Sequence, residues 1–132
     1  MSFENIKLEK PTAELFDGIA DDVAKKISAG SKNERGSDNG KNKSTQLRKF
    51  YDEVVVWDQR IKTNPENFDE YLPLIRMINA KVAYAKGRNL VDETYFQLMK
   101  CCLSQIKDRE SFTNCKRFLE AFMGFYKMYS PK

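Results

Sequence analysis

Histidine is missing entirely from the 132 residues of this sequence, so any chemistry must come from cations, carboxylates and aromatic rings. Its absence removes the commonest general acid and base, the histidine-activated serine and cysteine nucleophiles, and most nitrogen-ligated metal sites. Neither a Gly-rich phosphate loop nor a calcium-loop pattern occurs. Cys101, Cys102 and Cys115 have the spacing of neither a zinc site nor a disulfide framework. They read as reduced thiols in or near the core, in a reducing cytoplasm. The expectation is a chain with no catalytic residues, no metal and no cofactor.

The informative pattern is positive charge. Residues 1–40 hold six basic and eight acidic side chains, a net of −2, whereas residues 41–132 hold seventeen and eleven, a net of +6. Two windows contain no carboxylate at all. Residues 41–51 carry Lys41, Lys43, Arg48 and Lys49, and residues 71–91 carry Arg76, Lys81, Lys86 and Arg88. Cations clustered without acidic partners are the usual footprint of a polyanion. Arg matches phosphate geometry, and the Tyr84 ring can stack on a base. The candidate RNA-binding set is therefore Lys41, Lys43, Arg48, Lys49, Arg76, Lys81, Tyr84, Lys86 and Arg88.

Helices must position these groups. The first is predicted from Thr12 to about Ala29, with Leu15, Phe16, Ile19, Val23 and Ile27 on one stripe and Gly30 as its stop. Residues 30–43 contain three Gly and no apolar side chain, and read as a flexible linker. A second helix runs from Ser44 or Thr45 to about Lys62, with Leu47, Phe50, Tyr51, Val54, Trp57 and Ile61 on one face, before Asn64-Pro65 ends it. A third runs from Phe68 to Lys86, with Pro73 in its first turn and Gly87 in a left-handed stop. Its buried set is Leu72, Ile75, Ile78, Val82 and Ala83. At about 100° per residue, Arg76, Lys81, Tyr84 and Arg88 share the opposite face within about 140°, with no intrahelical carboxylate partner. Asp92 caps a fourth helix and Ser111 a fifth, the latter carrying Phe112, Phe118, Phe122, Phe125, Tyr126 and Tyr129. That aromatic run exceeds what one stripe needs, which leaves part of it for a protein contact.

These elements predict an all-α fold: a compact bundle of about five helices with a flexible linker after the first. Residues 1–43 form an N-terminal helix plus linker and residues 44–132 the helical bundle, a single RNA-binding domain overall. Nothing approaches a membrane-spanning length, and the first ten residues lack the apolar core of a secretory signal. The first helix is free to cover its own bundle or a neighbour's, so the sequence predicts self-association.

Three segments carry a family resemblance: KNKSTQLRKFYDEV (residues 41–54), LIRMINAKVAYAKGR (74–88) and FLEAFMGFYK (118–127). Together they resemble the small subunit of the type III-A CRISPR effector, the Csm complex, over residues 44–127. The resemblance implies a non-catalytic, cytoplasmic helical subunit of antiviral defence, present in several copies along the complex. Its implied partners are guide RNA, target single-stranded RNA and the other Csm subunits, and target cleavage belongs to a different subunit. The family's basic positions fall on Arg48, Lys49, Arg76, Lys81 and Arg88. The alternative is a purely structural protein-interaction subunit that works through the aromatic C-terminal helix.

Overall fold

The structure, a computed structural model, describes residues 3–32, 36 and 39–130. Helices, and no paired strands, organise the described residues. A π-helical turn, Leu15–Ile19, runs directly into α1, Ala20–Ala29. Then follow α2 (Ser44–Thr63), a 3₁₀ turn at Pro65–Asn67, α3 (Phe68–Arg76), α4 (Ile78–Gly87), α5 (Glu93–Ser104) and α6 (Arg109–Tyr129). The helix expected across residues 68–86 is thus α3 and α4 in succession, interrupted at Met77. Pro73 lies in the middle of α3 rather than in its first turn, where it removes a backbone donor and crowds the preceding turn. The rod is loosened rather than cut. Met77 N–H still donates to Pro73 O at 3.1 Å, and Met77 O accepts from Lys81 at 3.3 Å.

The long helix α6 lies between α1 and α2. Being covered on more than one side, it uses its aromatic run internally. Phe112, Phe118, Phe122 and Tyr126 are buried, and Phe125 and Tyr129 pack partly buried against the core. Leu15, Val23 and Ile27 enter that same core cluster, so the stripe of the first helix is covered by its own chain. A segment with no helical periodicity also joins it. Phe3, Ile6 and Leu8 are buried. The Gln105 carboxamide accepts from Leu8 N–H at 2.8 Å and donates to Ile6 O at 2.7 Å, while Asn114 Nδ2 donates to Leu8 O at 2.8 Å.

Helix ends depart from the sequence reading in three places. Thr12 provides no side-chain cap, because the first helix opens with the π-helical turn at Leu15. Asp108, not Ser111, is the N-cap of α6. The two form a capping box in which Asp108 Oδ1 accepts from Ser111 N–H at 2.8 Å. The left-handed stop after α4 is Asn89 (φ 62°), not Gly87. Leu90 N–H donates to Ala85 O and Asn89 N–H to Lys86 O, the pair of bonds that closes a Schellman turn. Asp92 caps α5 as expected, accepting from Tyr95 N–H at 2.9 Å.

The linker is tied down at both of its described ends. Its residues 33–35, 37 and 38 lie outside the described residues. Beyond them, Asn39 N–H donates to Ser31 O at 2.8 Å. Asn42 is wholly buried with φ 56°. Its N–H donates to Leu90 O at 2.9 Å, its Oδ1 accepts from Asp92 N–H at 3.0 Å, and its carbonyl accepts from the Tyr126 hydroxyl. Within the predicted linker, Asn39 is hydrogen-bonded to Ser31, just after α1, and Asn42 to the helical part of the chain.

Candidate nucleic-acid interface

The nine candidate residues separate into groups, and the separation follows from how α4 sits on its neighbours. Lys81 Nζ meets Glu53 Oε2 of α2 at 2.9 Å, and Asn42, just before α2, meets Leu90, just after α4. The first half of α2 and all of α4 therefore run antiparallel side by side. The first acid-free window and the α4 part of the second fall along this one pair of helices.

Buried Ile75, Ile78, Val82 and Ala85 set the inner face of α3 and α4. Ala85 replaces the expected Ala83, which is exposed. Around the helix axis, Lys81, Tyr84 and Arg88 lie within about 60° of one another, on the flank toward α2. On α2, Lys49 stands about 40° from Glu53 and so edges the same flank. Among the described residues Tyr84 is the most exposed large apolar or aromatic side chain at 68%, and the Arg88 guanidinium lies 5.8 Å from its ring centroid.

Arg76 and Lys86 point the other way, toward α5. The Arg76 guanidinium donates to Ile106 O at 2.6 Å and reaches Ser104 O at 3.5 Å, neutralising carbonyls at the end of α5. Lys86 pairs with Glu93 at 2.9 Å. The Glu93 carboxyl is held below its ordinary range, chiefly by the Gln97 hydrogen bond and then by Lys86. Arg48 pairs with Asp52 at 3.2 Å and lies 5.9 Å from the Tyr51 ring. With Lys49 and Lys127 it borders a groove of about 360 Å³ between α2 and α6. Lys41 and Lys43 flank buried Asn42, whose bonds hold that loop against the end of α4; no ion pair joins either lysine to a described carboxylate.

Windows without acid in the sequence are thus not acid-free in space. Lys81, Arg48 and Lys86 each meet a carboxylate supplied by another turn or another helix. All three pairs are exposed enough to exchange for a phosphate, since surface pairs of this kind are worth under about 1 kcal/mol. Sequence reasoning missed Leu74 and Met77, which are 46% and 54% exposed beside the cations. Their i, i+3, i+7 spacing with Lys81 was the available signal. The thiols fit their reading as core groups: Cys102 and Cys115 are buried, and burial pushes the Cys115 thiol up to about 12.

A family model described as Csm2 Type III-A matches residues 10–132, taking in the first helix and the linker as well as the bundle. No curated protein and no solved structure matches the chain.

Proposed function

The chain belongs to the Csm2 Type III-A family, the small subunit of the type III-A Csm complex, and from that premise we propose that it is a non-catalytic RNA-binding subunit. It holds the sugar-phosphate backbone of the target strand and of its pairing with the guide, without reading bases for sequence. Repeated copies along the complex multiply a weak contact made by each. Its partners in this reading are guide RNA, target RNA, the other Csm subunits and further copies of itself, in the cytoplasm, in antiviral defence.

The observation that carries the reading is that Lys81, Tyr84 and Arg88 share one flank of α4, the flank toward α2. Lys43 is the N-cap of α2, where positive charge opposes the helix dipole, so helix stability gives no reason for that cation. The rival reading as a purely structural interaction subunit relied on the aromatic C-terminal helix. The packing of α6 consumes most of that surface.

Replacement of Lys81 and Arg88 together by Ala provides the test. Both are surface positions, so stability should change by about half a kcal/mol or less. With about four phosphates neutralised, wild-type binding to a single strand should show a log K against log salt slope of roughly −3, and the double variant should lose about one and a half units of it. In the assembled complex, target capture should weaken more than guide loading. A folded double variant that holds target RNA like wild type would remove this site. Glu120→Ala, on the exposed side of α6, serves as the control.

A further inference from the structure

Leu74, Met77, Lys81, Tyr84 and Arg88 recur at i, i+3, i+7, i+10 and i+14, and fall within about 80° around the α3–α4 rod. They make one continuous seam, with two apolar groups first and then Tyr84 between two cations. Its apolar members, Leu74, Met77 and Tyr84, are 46%, 54% and 68% exposed, although the core beneath holds fully buried Ile75, Ile78 and Val82. The other aromatic rings are buried or partly buried, and this one is left exposed. The Tyr84 ring meets the Arg88 guanidinium at 5.8 Å on one side. The rod beneath is seated by its buried inner face and closed at its end by the Asn89 turn.

We propose that this seam is a track for unpaired nucleotides: Tyr84 stacks on a base face while Lys81 and Arg88 meet the phosphates on either side. The inference rests on the RNA-binding reading above and sharpens it from backbone contact to contact with exposed bases. Charge complementarity selects the occupant. Cations on either side of Tyr84 suit a polyphosphate strand, and an apolar protein helix would bring them no counter-charge. The apolar stations suit the faces of unstacked bases. Every base has such a face, so the contact adds affinity without sequence preference. A duplex hides its base faces within the stack and offers the seam phosphates alone.

The test uses the full chain, a single-stranded RNA, an abasic ribose-phosphate strand of equal length and a duplex RNA, each followed by fluorescence anisotropy. Tyr84→Ala should weaken binding of the intact single strand by about tenfold. The same variant should bind the abasic strand and the duplex as wild type does, with an unchanged salt slope, because no phosphate contact is lost. Tyr84→Phe keeps the ring and should stay within about twofold of wild type. Emission from Trp57, buried elsewhere, verifies folding.

The stacking proposal is overturned if Tyr84→Ala binds the intact strand like wild type, or if it weakens the abasic strand equally. If Lys81→Ala/Arg88→Ala still lowers the salt slope in either case, the backbone reading survives alone. If neither variant alters RNA binding but Tyr84→Ala changes the sedimenting mass, the seam is a protein interface and both readings fall.

Discussion

Asn42 holds more of this molecule together than its size suggests. It sits buried in the left-handed region, donates to Leu90 O, and offers Oδ1 to Asp92 N–H. Its side-chain amide also faces Ile27 O at 3.4 Å. Asn42→Ala would leave buried donors and acceptors unmatched and force a Cβ-bearing residue without a helpful side chain into φ 56°, at a combined cost of about 3 kcal/mol. Asn42→Gly loses the same side-chain bonds but tolerates the backbone, so it should be milder by about 1 kcal/mol. Urea unfolding midpoints at constant m would measure both, and an Asn42→Gly as damaging as Asn42→Ala would exclude a backbone contribution. Neither role was legible in the sequence. One of three Asn among Gly, Ser and Lys in that linker, it follows no periodicity, and its partners come from three distant elements. Lys81 was legible as a cation but not as half of the pair with Glu53, for the same reason.

At the scale of single helices, periodicity did most of the work. It located the second helix almost to the residue and named its buried face, because an amphipathic stripe is written at every third or fourth position. Ends were harder to read. Ser111 and Asp108 are both capping residues, and only their reciprocal bonds show which is the cap. Gly87 presented the composition of a left-handed stop, yet the chain runs through it as helix and turns at Asn89. This reverses the sign of a substitution. A left-handed Gly87 would resist alanine. At the observed position an added Cβ meets nothing within 4 Å and lies in the last turn of α4. Gly87→Ala should therefore stabilise the protein by roughly 0.4–1 kcal/mol, read as an upward shift in thermal midpoint. Lower stability would mean that the chain turns at Gly87 after all.

Over the whole molecule, the feature left open by the sequence was where the first forty residues pack. A stripe on a helix demands a cover but does not say whose, and a linker of that length allows either answer. The N-terminal segment was less legible still, since Phe3, Ile6 and Leu8 fit no helix. Its backbone is instead held by the side chains of Gln105 and Asn114. Both parts share one core cluster with α2 and α6, which predicts that they unfold together with the bundle. Leu8→Ala removes a fully buried side chain and should cost about 2–5 kcal/mol. Trp57 is the single tryptophan and lies in α2 against Tyr71, with ring centroids 5.4 Å apart and no part in the N-terminal segment. Its fluorescence therefore reports on a different region from the mutation. In one cooperative unit, the Leu8→Ala urea transition seen by Trp57 should shift to lower denaturant by the same amount as the transition seen by far-UV circular dichroism. A Trp57 transition that stays at the wild-type midpoint, while part of the helical signal melts earlier, would show a separable N-terminal unit able to cover a neighbouring copy instead of its own bundle.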